Sequence, residues 1–335
     1  MKILHVVHGY PPSIGGSQLL VKNLSEQLVS RYQDEVTVFT TVAYDMAYFW
    51  GQKGPVMPTG IETMNGVTVH RFPVFNRLSF LRMLLAGVAT RLRLPYNDWL
   101  RTIYNGPLIF DMTQAIAKSG AEVVFATAFP LLHMYYALTG ARRAGIPIVF
   151  LGAIHTIDTW GYDRQIIYQA VQQADAYIAL TTFERDYLVK YGINPNKITI
   201  VGGGVNINTY LNADGAAARE KYYLGNGPII AAIGKQNARK RFDMLLDAMP
   251  KVWIEFPDAR LLIAGARGSH SDHICDLINR LPASWQGQVT VLTDFPESDK
   301  PSLLAASDLL VLPSAMESFG IAFAEAWACK KPVIG

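Results

Sequence analysis

Two glutamates near the end of the chain are candidates for binding a ligand. The segment MESFGIAFAEAWACKKPVIG, residues 316–335, places Glu317 in a loop and Glu325 inside a helix that is apolar almost all round. No cation lies four residues from Glu325, and Lys330 is the first one after it. Burying an unpaired carboxylate is costly, so Glu325 is expected to bind donors such as sugar or ribose hydroxyls. The alternative is that it bonds to backbone or reaches solvent.

A basic loop follows the apolar strand that ends at Gly234. Its cations are Lys235, Arg239, Lys240 and Arg241, and a helix begins directly after them. Cations beside a helix N-terminus form a site for a phosphate or pyrophosphate. The alternative is an ordinary solvated basic loop.

Glycines follow two further strands. Gly15 and Gly16 lie between the first strand and an amphipathic helix, and three glycines occupy positions 202–204. Such glycines let backbone N–H groups approach a ligand and allow positive φ. A flexible turn and an interdomain hinge are the alternatives. The spacing is not G-x-G-x-x-G, so the sequence does not support a dinucleotide fingerprint.

The elements that must position these residues follow a repeating pattern. Short apolar runs alternate with longer helical patterns, which indicates parallel βαβ units. A polar segment rich in glycine and asparagine precedes residue 229, and it predicts two doubly wound α/β domains, residues 1–214 and 215–335. Such sheets bind ligands at the carboxyl ends of their strands. We therefore expect the functional segments to face a cleft between the domains.

Composition narrows the classes of function. The chain has 335 residues, 50% of them hydrophobic, and a net charge of only +3. A nucleic-acid binder would show a concentrated basic excess, so no nucleic-acid partner is expected. Two cysteines cannot build a disulfide framework, which favours a reduced, cytoplasmic protein.

Two stretches raise the question of membrane contact. Residues 123–141 carry no formal charge and are long enough to span a bilayer, but Pro130 divides them, and we predict a strand, a loop and a helix. From Thr63 to Asn97 there is no acidic residue. Five arginines interleave there with apolar residues: Arg71, Arg77, Arg82, Arg91 and Arg93. They either rest on an anionic membrane surface or point outward from a helix packed on the first domain.

The order of these motifs resembles the family-4 glycosyltransferases of GT-B fold. The paired glycines, a histidine after a strand, G-K-x4-K and E-x7-E follow one another over nearly the whole chain, and residues 317–335 are the most specific part. The resemblance implies a retaining transfer of a sugar from a UDP- or GDP-sugar donor. The acceptor would be a glycan, a lipid-linked sugar or another glycoconjugate, as in polysaccharide biosynthesis.

The resemblance also assigns roles to single residues. Glu325 would hold the nucleotide ribose, and Lys235 and Lys240 would grip the diphosphate. His155, which alone would be an ordinary core or surface histidine, matches a family histidine beside the donor sugar, and with Glu317 it forms the expected catalytic pair. The remaining expected donor-binding residues are Gly15, Gly16, Gly204, Phe319 and Gly320.

The sequence departs from the family pattern at a few positions. Lys235 stands where arginine is common, Arg241 where glycine is common, and residues 202–204 replace Pro-Asn-Gly. No Asp-x-Asp occurs, which agrees with the metal independence usual in the family, so neither a metal nor a cofactor is expected. The histidines and Cys275 of residues 268–275 form either a metal site or, as we expect, a surface loop.

Other functions remain open at this stage. A sugar-nucleotide epimerase or a phosphorylase of GT-B fold would use similar residues, and so would a non-catalytic sugar-nucleotide-binding module. Family relatives continue beyond the strand that ends this chain with a glycine-rich turn, a glutamate and several helices. We therefore expect a truncated second domain with exposed apolar surface around Val333 and Ile334, and activity that is low or absent.

Overall fold

The chain folds into two compact units. The computed structural model describes residues 1–13, 15–293 and 295–335. The units are Met1–Gly202 and Gly203–Gly335, and each is a mainly parallel sheet with connecting helices. The expected fold class of two doubly wound α/β units is confirmed. Residues 203–214 pack with the second unit, ahead of the boundary predicted at residue 215.

The first unit contains an eight-stranded sheet within the described residues. Its strands are β1 (Lys2–Val7), β2 (Glu35–Thr41), β3 (Gly60–Met64), β4 (Val67–Phe72), β5 (Val123–Thr127), β6 (Ile148–Leu151), β7 (Ala176–Ala179) and β8 (Ile198–Ile200). Their order across the sheet is β3-β4-β2-β1-β5-β6-β7-β8, and only the β3–β4 pair among them is antiparallel. The strand order therefore reverses between β1 and β5.

The helices of the first unit cover both faces of this sheet. They are α1 (Gly16–Tyr32), α2 (Ser79–Arg91), α3 (Asn97–Asn105), α4 (Met112–Ala117), α5 (His133–Ala144), α6 (Thr159–Tyr162), α7 (Gln165–Gln173) and α8 (Thr182–Lys190). Successive side chains of a strand point to opposite faces. Leu4 and Val6 accordingly join one core, while Val7 and Val38 join another. This two-sided burial explains why the strands read as continuous apolar runs.

The second unit contains a five-stranded parallel sheet within the described residues. Its strands are β9 (Ile229–Ile233), β10 (Arg260–Ala264), β11 (Val289–Leu292), β12 (Leu309–Val311) and β13 (Val333–Ile334), in the order β11-β10-β9-β12-β13. Its helices are α9 (Ile207–Leu211), α10 (Gly215–Lys221), α11 (Phe242–Glu255), α12 (Ser271–Asn279), α13 (Ala283–Gln286), α14 (Lys300–Ala306) and α15 (Ile321–Ala328). The order reverses between β9 and β12. Ile334 on the edge strand is 54% exposed.

The two stretches that raised the question of membrane contact have different outcomes. Residues 123–141 form β5, a turn and the first part of α5, as predicted, with His133 and Met134 buried. No helix in the described part of the chain is long and apolar enough to cross a bilayer. Neither alternative given for the arginines, membrane contact or an outward orientation, holds for Arg71 and Arg82, because both are buried and donate hydrogen bonds to backbone carbonyls.

Candidate functional site

The reversal of strand order in the second unit brings two of the sequence motifs together. Neighbouring strands whose connections leave to opposite sides open a crevice at their carboxyl ends, where doubly wound sheets bind ligands. β9 leads into the basic loop that begins at Gly234, and β12 leads into the loop that contains Glu317. The basic loop and the first glutamate therefore lie at one switch point.

These two loops are bonded to each other. The Ala315 N–H donates to the Arg239 carbonyl oxygen at 2.8 Å. Lys240 Nζ donates to Glu317 Oε1 in an ion pair whose side chains are 13% and 22% exposed. Partial burial weakens the competition from water. The lysine expected to grip a diphosphate and the glutamate expected beside a sugar are thus partners in this structure.

Glu325 lies on α15 with a side chain that is almost completely buried, at 6% exposure. Its Oε1 accepts hydrogen bonds from Lys300 Nζ at 2.7 Å and from the Tyr210 hydroxyl at 2.8 Å. Its Oε2 is also buried and has no hydrogen-bond partner among the described residues. Protein side chains therefore supply the hydrogen-bond donors for Oε1 of Glu325. Within the described part of the chain, this oxygen neither bonds to backbone nor reaches solvent, which were the two alternatives.

Tyr210 and Lys300 are site residues that sequence reasoning missed. Tyr210 lies on α9, in the segment interpreted as an interdomain connection, and Lys300 begins α14. Burial, followed by the nearby charge of Glu325, raises the pKa of Tyr210, so this hydroxyl stays protonated and donates. Only the pattern Lys-Pro at a helix start could have pointed to Lys300, and it says nothing of where the side chain goes.

Two more polar side chains at the same strand ends are buried without hydrogen-bond partners among the described residues. They are Gln236, at Nε2, and Ser314, at Oγ. Gln236 is only 1% exposed and follows β9, while Ser314 follows β12. A buried polar atom without a partner costs about 1–3 kcal/mol, so a site that leaves several of them is suited to a polar ligand.

The backbone before α15 depends on glycine at two positions. Gly320 has φ 78°, in the left-handed region, and it immediately precedes the helix. A Cβ at Gly203 would lie 2.7 Å from Cδ1 of Phe319, so only glycine allows the ring to pack there. Gly204 has open space around it. Residue 203 thus packs against Phe319, which lies directly before Gly320 and between the two glutamates in sequence.

Arg241 occupies a position where the family usually has glycine, and its backbone conformation favours glycine. Arg241 has φ 52°, a left-handed conformation that is unfavourable for residues with a Cβ. It lies between the short 3-10 helix Ala238–Lys240 and α11. The basic loop therefore carries local strain at Arg241. Lys235, at the start of this loop, is half-buried.

The glycines of the first unit lie at its own switch point, after β1. Gly15 has an extended backbone, with φ 173°, and Gly16 begins α1, so the positive φ expected of them is not used. A Cβ at Gly16 would meet nothing within 4 Å. α1 has no side-chain cap and no acidic residue in its first turn, which leaves its N-terminal N–H groups for another acceptor.

His155 follows β6 in a loop that a buried glutamate holds in place. Its ring packs edge-to-face on Tyr162, with centroids 5.1 Å apart. Glu184, 4% exposed, accepts from the Ile154 N–H at 3.0 Å and from the Tyr177 hydroxyl at 2.6 Å through Oε1. Its Oε2 accepts from the Leu180 N–H at 2.9 Å. Sequence reasoning missed Glu184, whose only signal was Thr181 three residues before it, a helix-capping pattern.

The histidine-rich segment does not form a metal centre in the part of the chain that the structure describes. No group of three His, Cys, Asp or Glu side chains there could hold a metal ion. Its residues open α12, with the rings of His270 and His273 4.5 Å apart, so the expected loop is in part a helix.

Comparison with known families covers both units. The family described as Glycosyltransferase Family 4 matches residues 14–209, more than half of the chain. The chain belongs to this family. The family described as Glycosyl transferases group 1 matches residues 216–335, so the second unit is also accounted for.

Curated relatives share part of the sequence. The D-inositol 3-phosphate glycosyltransferase of Rhodococcus jostii is 34% identical over 233 residues, which are 62% of this chain and 51% of the relative. The enzyme of the same name from Segniliparus rotundus is 30% identical over 233 residues, 61% of this chain and 50% of the relative. The chain thus spans about half the length of the curated relatives it matches.

Solved structures show the same fold. HepE of Anabaena, in complex with UDP and glucose, is 17% identical with a TM-score of 0.68, covering 99% of this chain and 80% of that one. The sucrose-phosphate synthase of Thermosynechococcus elongatus is 17% identical with a TM-score of 0.69 and the same two coverages. These likenesses identify the fold as GT-B, with its two Rossmann-like units.

Proposed function

We propose that this chain is a glycosyltransferase that moves a sugar, with retention at the anomeric carbon, from a nucleotide diphosphate to an acceptor. The donor binds the second unit at the switch point between β9 and β12. No metal or cofactor takes part in this proposal, and the acceptor is a glycan, a lipid-linked sugar or a phosphorylated polyol. The two cysteines are free thiols, which supports a cytoplasmic location.

The observation that carries the proposal is the uneven bonding of Glu325. Lys300 and the Tyr210 hydroxyl fix one carboxylate oxygen, and the other is buried without a partner among the described residues. A carboxylate held in this way is oriented before a ligand arrives, and its second oxygen can accept from ribose hydroxyls. Bonds to a charged group contribute about 1.5–3 kcal/mol each, enough to select a polar ligand.

The basic loop provides for the diphosphate. Lys235 and Lys240 follow β9, and Lys240 is already held by Glu317. An incoming diphosphate can share or replace Glu317 as the partner of Lys240, which would free the carboxylate to face the sugar. Fixed cations beside the leaving diphosphate stabilise the charge that develops as the glycosidic bond breaks, and such stabilisation is usually the largest catalytic contribution.

The remaining expected residues have supporting roles in this proposal. His155, on a loop braced by Glu184, is a catalytic residue in this proposal, and Gly15 and Gly16 offer backbone N–H groups at the uncapped start of α1. Phe319 and Gly320 shape the backbone before α15, and Gly204, which has open space around it, remains a proposed donor-binding residue. The complex of HepE with UDP and glucose supports a nucleotide-sugar donor.

The deciding experiment is sugar release from a panel of UDP-, GDP- and ADP-sugars, with and without simple acceptors. We expect release from one donor, lost in Lys235→Ala and kept in Lys251→Ala, which changes an exposed lysine on α11. Binding without release would favour a non-catalytic module, and conversion of the donor to its epimer would favour an epimerase. Absence of both binding and release would contradict the proposal.

A further inference from the structure

Helix α2 of the first unit presents an apolar face to its surroundings. Its buried positions are Arg82, Ala86 and Ala89, a stripe of one polar and two small residues. Its large apolar side chains are exposed instead: Phe80, Leu81, Met83, Leu84, Leu85 and Val88. Phe80 alone is 71% exposed. An amphipathic surface helix normally buries such side chains, so α2 has the reverse orientation.

The orientation of α2 is fixed by its buried arginine. Arg82 donates to the Phe49 carbonyl oxygen at 2.7 Å and to the Ile103 carbonyl oxygen at 3.2 Å. Turning the apolar face inward would break both hydrogen bonds. The Arg82 guanidinium would then be either buried without these acceptors or exposed to solvent. Residues 80, 84 and 88 follow the four-residue spacing of one helix face, and it lies opposite the stripe of residues 82, 86 and 89. The outward apolar face is therefore a built feature of the unit.

The apolar face continues beyond α2. Leu92, Leu94, Tyr96 and Trp99 are also exposed in the turn after it and at the start of α3. Tyrosine and tryptophan combine an apolar ring with a polar atom, which suits the boundary between headgroups and acyl chains.

The exposed charged residues within positions 77–99 are all arginines. Arg77, Arg91 and Arg93 are exposed, and none has an ion-pair partner among the described residues. From Thr63 to Asn97 the sequence contains no acidic residue, and Asp98 is paired with Arg101. Apolar side chains bordered by unpaired arginines complement an anionic lipid surface, where each basic residue contributes about 1 kcal/mol.

We propose that the α2 face, residues 77–99, docks the protein on an anionic membrane surface without crossing it. A second copy of the chain fits this face less well. A two-fold contact would place the same surface against itself and bring the exposed arginines of the two copies together, while the one carboxylate within residues 77–99, Asp98, is already paired with Arg101. A lipid surface supplies both the apolar layer and the negative charge. The inference does not depend on the proposed transferase activity, because docking is measured without a donor.

Vesicle co-sedimentation tests the docking. The protein is mixed with vesicles of phosphatidylcholine alone or with phosphatidylglycerol added, at low salt and at about 0.15 M, where the Debye length is about 8 Å. We expect binding to the anionic vesicles only, weakened by salt. The triple variant Arg77→Glu, Arg91→Glu, Arg93→Glu should bind about 100-fold more weakly or worse, since three favourable contacts are lost and reversed.

A charge-matched variant separates a local site from general attraction. Arg143 and Lys190 on other helices of the same unit are exposed, as is Lys118 directly after α4, and changing all three to glutamate gives the same net charge. This variant should still bind. The variant Phe80→Ser, Leu84→Ser should bind at least about tenfold more weakly, because the apolar contribution is lost. Both changes are on exposed side chains, so circular dichroism should show unchanged folding.

Three outcomes would overturn the proposal. The first is no binding of the wild-type protein to anionic vesicles at low salt. The second is equal loss of binding in the α2 variant and the charge-matched variant. The third is concentration-dependent self-association of the wild type without vesicles that Leu84→Ser abolishes, which would make a second copy the occupant of this face.

Discussion

At the residue scale, a buried carboxylate holds the loop that contains His155. Glu184 uses both oxygens to accept three bonds, from the Ile154 N–H, the Leu180 N–H and the Tyr177 hydroxyl. The bond to Ile154 fixes the residue directly before His155. Glu184 is therefore a positioning residue for the histidine.

We expect Glu184→Gln to destabilise the first unit by about 1–3 kcal/mol, because the amide N–H₂ would face donors that need an acceptor. Urea unfolding followed by fluorescence measures the change. Glu220→Gln, an exposed glutamate, is the control and should lie within about 0.5 kcal/mol of wild type. Equal stability of both variants would mean that the three bonds do not brace this loop.

Three buried histidines of the first unit link its stability to pH. Burial lowers the pKa of His5 and His8 to about 4, and burial with the nearby His8 lowers the pKa of His133 to about 3. In the unfolded chain these groups take up protons near pH 6.5, whereas in the folded protein they remain neutral. Acidification therefore favours the unfolded state from about pH 6.5 down to about pH 4.

The free energy of unfolding should fall as the pH is lowered through this window, by up to about 1.4 kcal/mol per pH unit for each histidine, and the melting temperature should fall with it. His133→Gln should flatten the fall, since one proton-binding group is removed from the unfolded chain. His273→Gln, on an exposed histidine, should leave it unchanged. Thermal melts of the three proteins between pH 4 and pH 7 measure this. Identical slopes in all three would contradict the assignment.

At the element scale, the switch point between β9 and β12 explains why residues far apart in sequence meet. The basic loop and the glutamate loop follow adjacent strands and share a backbone bond and an ion pair. Alternating apolar runs in the sequence were sufficient to predict these strands. The position proposed for the donor, at the carboxyl ends of these strands, also follows from parallel topology.

Lys235→Ala and Lys240→Ala should weaken binding of a nucleoside diphosphate far more than binding of the nucleoside. A phosphate contact depends on cations, whereas a base or ribose contact does not. Lys240→Ala also frees Glu317, so its effect should exceed that of Lys251→Ala, the exposed control. Titration of UDP and uridine into each variant tests this. If both ligands weaken equally, the basic loop does not bind the phosphates.

At the scale of the whole molecule, sequence predicts the fold better than it predicts the partners of single side chains. Two α/β units follow from periodicity, and E-x7-E marked the glutamates. The partners of Glu325 could not be found, because Tyr210 lies 115 residues away and Lys300 lies 25 away. The sequence also could not predict the orientation of α2. A helix that buries its arginine and exposes its leucines has the same spacing of polar and apolar residues as a helix that buries its leucines.

The central claim is that Glu325 belongs to a nucleotide-sugar site. Calorimetric titration of UDP and GDP into wild type and Glu325→Ala tests it most directly. We predict that at least one of the two binds wild type and that the substitution weakens its binding by about 1–3 kcal/mol, through lost charged hydrogen bonds. Failure of both nucleotides to bind wild type, or unchanged affinity in a folded Glu325→Ala protein, would contradict the account.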